Sequence, residues 1–149
     1  MRIGEIAPTI SLYNQFNEIV NLSDYIGKSR LVLFFYPKDN TAGCTREACA
    51  FRDYQKEFSD LNCKIIGISS DKVEKHLEFA EKNNLNYPLL ADINQEARKL
   101  FGVPKSLFGL LPGRVTYVID ENGKIINVFN SQILFTDHIS NAIEAIKKL

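Results

Sequence analysis

Cys44 and Cys49 are the two residues in this sequence most suited to chemistry, and the stretch before them is Phe35-Tyr36-Pro37-Lys38-Asp39-Asn40-Thr41-Ala42-Gly43. A cysteine reacts as its thiolate, and a free thiol with a pKa near 8.5 is only about 3% ionised at pH 7. The first turn of a helix helps, because unpaired N–H groups and the macrodipole favour negative charge there. Thr41 is a good N-cap, so Cys44 is expected at the third helical position, where a capping box carries its glutamate. Ionisation has a bounded effect: lowering a thiol pKa to about 6 raises the thiolate fraction roughly 30-fold. A fast thiol site therefore also needs donors aimed at the atom that leaves. The Thr41 hydroxyl, the N–H groups of Gly43 and Cys44, and one arginine are candidates. Pro37 would stiffen the approach and shield the sulfur.

These residues need a strand behind them and a helix in front. Arg30-Leu-Val-Leu-Phe-Phe-Tyr36 reads as a strand buried on both faces, ended by Pro37. A helix follows from about Ala42 to Asp60, with Ala48, Phe51, Gln55, Phe58 and Leu61 at helical spacing. Lys64 to Ser69 reads as a second buried strand, and Lys72 to Asn83 as a helix with Asp71 as its N-cap. Pro88 to Ala91 is a short strand and Gln95 to Phe101 a short helix before Gly102. Val115 to Ile119 and Lys124 to Phe129 flank Glu121-Asn122-Gly123, a hairpin signal. A last helix starts near Thr136, with Ile139, Ala142, Ile143 and Ile146 on one face. The order predicts an α/β chain of one domain over 1–149. Its mixed central sheet is flanked by helices in the thioredoxin-like manner, with an N-terminal β extension around Thr9 to Val20.

Pro37, Thr41 and Cys44 stand as Pro-x-x-x-Thr-x-x-Cys, which resembles the active-site signature of the peroxiredoxins. The continuation Cys44-Thr45-x-Glu47-x-Cys49 resembles their Q subfamily, the bacterioferritin comigratory proteins. Asp71-x4-His76-x2-Phe79 and Leu85-x-Tyr87-Pro88-Leu89-Leu90-x-Asp92 are similar to that subfamily's central region. Arg114-x-Thr116-Tyr117-Val118-Ile119-Asp120 resembles its arginine strand. The resemblance spans nearly the whole chain.

It implies a thiol peroxidase without metal or organic cofactor. Cys44 would be the peroxidatic cysteine and Cys49 the resolving one, forming an intramolecular disulfide that a thioredoxin-like partner reduces. Thr41 and Arg114 would bind the peroxide, and Pro37 would close the pocket. A carboxylate at Glu47 disfavours a nearby thiolate unless paired, so orienting an arginine is the role that suits it. Lys105 to Gly113 departs from the usual segment before the arginine strand. Its apolar residues either shape access for bulky hydroperoxides or pack.

The other residues read more plainly. Cys49 falls about 140° round the helix from Cys44, on the polar side with Arg52, Asp53 and Lys56, an odd place for a structural thiol. Cys63 reads as packing, His76 and His138 as structural, and Arg46 as a solvated charge. A thiol–disulfide oxidoreductase on this fold would ordinarily show Cys-x-x-Cys, which is absent here. A copper-delivery module would need a histidine over the helix N-terminus.

Of 149 residues, 45% are hydrophobic and 24% charged, with 18 basic and 18 acidic side chains. That balance argues against a nucleic-acid or anionic-membrane partner. The longest apolar run, Leu31 to Tyr36, is far short of the ~20 residues of a membrane span. Met1 to Glu5 has no apolar leader character, and three cysteines do not make a disulfide scaffold. A cytoplasmic protein, monomer or weak homodimer, is expected.

Overall fold

The structure is a computed structural model and describes residues 1–105 and 112–149. An N-terminal hairpin of β1 (Ser11–Tyr13) and β2 (Ile19–Asn21) stands apart as its own two-stranded sheet. The chain continues through β3 (Arg30–Phe35), α1 (Ala42–Asp53), α2 (Gln55–Asp60), β4 (Cys63–Ser69), α3 (Val73–Asn83), β5 (Leu89–Ala91) and α4 (Glu96–Phe101). It closes with β6 (Val115–Ile119), β7 (Ile125–Asn130) and α5 (Asp137–Lys147). The central sheet has the order β5-β4-β3-β6-β7; β4 is parallel to β3 and β6 antiparallel to it. This is the mixed sheet expected from the sequence, with β3 in the middle.

The period-two alternation of β3 divides the interior. Val32, Phe34 and Tyr36 face one core with Phe51, Phe58, Phe79 and the apolar stripe of α5. Leu31, Leu33 and Phe35 face the other, with Phe101, Val115 and Tyr117. From Leu31 to Tyr36 no residue exceeds 1% exposure. Burying one such aromatic or leucine side chain contributes about 1.5–3 kcal/mol, so this strand is a rigid base for the turn and helix after it.

Two local expectations change, and the expected hairpin turn is present. The helix from Ala42 is not continuous to Asp60; it breaks at Tyr54, whose φ −100°, ψ 10° lies outside the helical region. Phe51 and Phe58 on either side still pack, with ring centroids 5.9 Å apart. Asp71 does not cap α3, whose N-cap is Lys72. Its Oδ2 instead accepts from Asp39 N at 2.8 Å and Ser69 Oγ at 2.7 Å. The β6–β7 turn is pinned by Asp120 Oδ1, which accepts from the N–H groups of Asn122 and Lys124, both at 2.9 Å. Gly123 takes the left-handed position there with φ +84°. Among the described residues no helix is long and apolar enough to cross a membrane.

Candidate active site

Between β3 and α1 the chain turns sharply, with Asn40 in the left-handed region at φ 64°. A buried network holds this turn from below. Tyr36 Oη donates to Asp39 Oδ1 at 2.5 Å, and His76 Nδ1 lies 2.6 Å from Asp39 Oδ2. His76 Nε2 must donate to the Leu90 carbonyl at 3.0 Å, since a carbonyl only accepts. The 2.6 Å contact therefore needs a second proton, shared between imidazole and carboxyl. His76 thus has the structural role expected of it.

Thr41 is the N-cap residue of α1, with φ −87° and ψ 152°, and its carbonyl accepts the first helical bond from Thr45 N at 2.9 Å. Cys44 is accordingly the third helical residue, 1% exposed. Among the described residues, the N–H groups of Ala42, Gly43 and Cys44 have no protein acceptor. The capping hydrogen bond expected from the Thr41 side chain is absent. Its Oγ1 donates to the Lys38 carbonyl at 2.9 Å, because the turn brings that acceptor closer. The hydroxyl hydrogen is thereby committed, and only its lone pairs face outward. Pro37 is half-buried just before it.

Arg114, immediately before β6, crosses to the thiol. Its Nη2 donates to Cys44 Sγ at 3.2 Å, its Nη1 to Glu47 Oε1 at 2.7 Å, and its Nε to the Gln132 carbonyl at 3.3 Å. Its guanidinium also lies 4.8 Å from the centroid of Phe135. Glu47 is one turn after Cys44 and fully buried, and its Oε1 is the acceptor of that Arg114 bond. Burial pushes the Glu47 carboxyl up to about 8 against the pull of Arg114.

His138 belongs to this cluster, which sequence reasoning missed. Its Nε2 donates to the Ser131 carbonyl at 2.8 Å, so the neutral ring keeps a lone pair on Nδ1. Nδ1 lies 2.8 Å from Thr116 Oγ1 and 3.5 Å from Glu47 Oε2. Burial holds His138 down at about 4, so the ring is neutral at pH 7. Glu47 Oε2 has no hydrogen-bond partner among the described residues. The Nδ1 lone pair accepts from the Thr116 hydroxyl, so no donor reaches Oε2, and a buried carboxylate oxygen there would stand uncompensated. Geometry and the raised carboxyl agree.

Cys49 is half-buried on the far side of α1, with Sγ 3.7 Å from Asn83 Oδ1. Arg52 anchors the same end, donating from Nη1 to the Asn83 carbonyl at 2.6 Å. Cys63 is buried at the start of β4, and burial pushes its thiol up to about 12, which suits packing and not attack. Arg46 is exposed, yet lies 5.8 Å from the Phe135 centroid. The departing segment Lys105 to Gly113 lies mostly outside the described residues. Of its end, the Gly113 carbonyl accepts from buried Arg98 Nη1 at 3.0 Å.

A buried thiol on the first turn of a helix that follows the central strand, faced by an arginine that Glu47 holds, defines a thioredoxin-fold thiol site equipped for more than disulfide exchange. Comparison with known proteins agrees. The sequence profile described as the AhpC/TSA family matches residues 3–128. The chloroplastic peroxiredoxin Q of Sedum lineare is 42% identical over 146 residues, covering 98% of this chain and 78% of that protein. The peroxidoxin BcpB of Mycobacterium tuberculosis superposes with a TM-score of 0.92 at 36% identity, covering 100% of this chain and 98% of that one. A Xylella fastidiosa PrxQ structure gives a TM-score of 0.90 at 28% identity, covering 99% and 96%. The chain belongs to the AhpC/TSA family and, within it, to the peroxiredoxins of the Q type, and it is a thiol-dependent peroxidase.

Proposed function

We propose that Cys44 is the thiol that reduces the hydroperoxide and that Cys49 resolves the product. The carrying observation is Arg114 Nη2 at 3.2 Å from Cys44 Sγ, on a guanidinium fixed by Glu47. The Cys44 thiolate attacks the terminal peroxide oxygen. The S–O bond forms, the O–O bond breaks, and sulfur gives two electrons to the peroxide. The departing oxygen takes a proton and leaves as alcohol or water, and Cys44 becomes a sulfenic acid. Arg114 and the open N–H groups of the first turn supply donors where negative charge grows. Thr41, with its hydrogen committed to Lys38, accepts the peroxide O–H and so orients it. Half-buried Pro37 limits solvent access to the sulfur.

The Cys49 sulfur then attacks Cys44; the S–S bond forms, the S–O bond breaks, and water leaves with the Cys49 proton. A thioredoxin-like dithiol restores both thiols by exchange. Every group in the scheme comes from one chain, so a monomer suffices, and a weak homodimer is not needed for the chemistry. Three free thiols suit a reducing compartment, and we place this chain in the cytoplasm, although the similar plant proteins are named chloroplastic.

Copper delivery fits poorly. Both ring nitrogens of His76 and of His138 are engaged within the protein. The test is peroxide consumption by metal-free protein with dithiothreitol or thioredoxin, using wild type and Cys44→Ser. Turnover in wild type and none in Cys44→Ser is expected. Retention of more than a few per cent by Cys44→Ser overturns the assignment.

A further inference from the structure

The loop of residues 131–136 joins β7 to α5 and is tied down at several points. Ser131 N donates to the Arg114 carbonyl at 3.3 Å, and Leu134 N donates to Ser131 Oγ at 3.1 Å. His138 Nε2 holds the Ser131 carbonyl at 2.8 Å, and Arg114 Nε holds that of Gln132. From this fixed loop Phe135 reaches over the first turn of α1. A Cβ at residue 43 would fall 2.5 Å from Phe135 Cε1 and 2.6 Å from its Cζ, so the ring occupies the space that glycine leaves open. The ring also lies near two guanidinium groups, Arg114 at 4.8 Å and Arg46 at 5.8 Å. Arg114 stands immediately before β6, outside α1, whereas Arg46 rides on α1 itself.

This matters because α1 must open for resolution. Residues five apart on an ideal helix lie about 8.6 Å apart at Cα. A disulfide tolerates up to about 6.8 Å. On the peroxidase reading above, we infer that Phe135 is a positioning residue that clamps the first turn of α1 and sets how long Cys44 stays there once oxidised. The ring holds Gly43 by contact and Arg46 by cation–π attraction, and it stays with its loop when α1 leaves.

The clamp decides between two fates of the sulfenic acid. If α1 opens, Cys49 displaces water and a disulfide forms. If it stays closed, a second hydroperoxide gives up an oxygen to sulfur and leaves as alcohol or water, and Cys44 becomes a sulfinic acid. The first route is independent of hydroperoxide concentration and the second is proportional to it, so their crossover concentration measures the opening rate.

The experiment mixes reduced protein with rising hydrogen peroxide, quenches with a thiol-alkylating reagent, and weighs the disulfide and sulfinate forms by mass spectrometry. Phe135→Ala should raise the crossover concentration about tenfold, the scale of one lost aromatic contact with its cation–π partner. Phe135→Tyr keeps the ring and should restore the wild-type crossover within about twofold. Arg46→Ala, an exposed change that leaves the core intact, should move the crossover the same way by a smaller factor, and it serves if Phe135→Ala does not fold. An unchanged crossover in both Phe135→Ala and Arg46→Ala overturns the clamp. Absence of any sulfenic acid, disulfide or sulfinate in wild type would overturn the peroxidase assignment instead, so the two failures are distinct.

Discussion

Tyr87, buried just before β5, donates its hydroxyl hydrogen to the Ala48 carbonyl in the middle of α1 at 2.7 Å. The acceptor is adjacent to Cys49, so a core tyrosine pins the helix beside that thiol. Deleting the hydroxyl in Tyr87→Phe removes a buried bond worth about 1 kcal/mol and lowers Tm by about 3 °C in a domain of this size. Amide hydrogen exchange around Ala48 in the reduced protein should rise with it. Unchanged melting and exchange would show that the bond contributes nothing to the helix.

Arg114→Ala should slow sulfenic acid formation by about two orders of magnitude, the loss typical of one removed donor to a developing negative oxygen. Arg114→Lys should recover little, because one ammonium cannot bridge Cys44 and Glu47 as the guanidinium does. Single-turnover rates across pH check this. A deficit that vanishes at high pH would mean that the arginine acts only on thiol ionisation.

Cys49→Ser should leave the first oxidation fast and fail only in thioredoxin-driven turnover. In the wild type, oxidation should strip exchange protection from about Thr41 to Phe51 and leave Gln55–Asp60 protected. A disulfide mapped to Cys63, or equal protection in both redox states, would refute resolution by an opened α1.

The stability–pH profile should carry the signature of Glu47 and His138. The Glu47 carboxyl is raised to about 8, so its contribution to stability is full at low pH and is lost as pH rises through about 8. His138 is lowered to about 4, so its contribution is present above its unfolded value and lost as pH falls through about 4. The two slopes oppose each other at mildly acidic pH. Above pH 7 the Glu47 slope has the same sign as that of Cys63, whose thiol burial raises to about 12, and Cys63 is common to wild type and Glu47→Gln. Wild type should therefore lose stability from pH 7 to 8.5, and Glu47→Gln should lose distinctly less over the same range. Denaturant titrations at fixed pH decide it; parallel curves would place the Glu47 proton elsewhere.

Asp39→Asn should be far milder than Asp39→Ala. An amide still accepts from Tyr36 Oη and can donate to a neutral His76 Nδ1, without the extra proton that the carboxyl requires. Alanine leaves both partners buried and unpaired, a loss of about 3 kcal/mol. Equal destabilisation by the two changes would point to a charged pair.

The parts of this fold with strong periodicity were legible in the residues. β3 shows as an unbroken apolar run, the closing helix as a one-sided stripe, and the last hairpin as two apolar runs about a glycine. The break at Tyr54 was not, because Phe51, Gln55 and Phe58 keep helical spacing across it while the backbone departs at one residue. Asp71 looked like a cap because its type and place fit one, yet a nearer donor from the active-site turn claimed it. In the site, Cys44 and Thr41 were readable from a local motif. Arg114 came only from resemblance, since on its own it reads as a solvated strand end. His138 left no signal: its partners Thr116, Ser131 and Glu47 come from three separate segments, and only the folded sheet brings them to one imidazole.

The interruption at Tyr54 has a thermodynamic consequence. Melting in a single helix spreads along its ladder, because each lost bond frees its neighbour. Had Ala42 to Asp60 been one rod, fraying at Cys44 would have a continuous route to Phe58 and the floor of the hydrophobic interior. The departure at Tyr54 weakens that route, with Tyr54 N to the Ala50 carbonyl and Phe58 N to the Tyr54 carbonyl both stretched to 3.2 Å, and Arg52 holds the near side by its bond to Asn83. On the resolution scheme proposed above, the redox cycle would melt about three turns of helix and re-form them while Gln55–Asp60 keeps its bonds, a small phase change with its boundary near Tyr54.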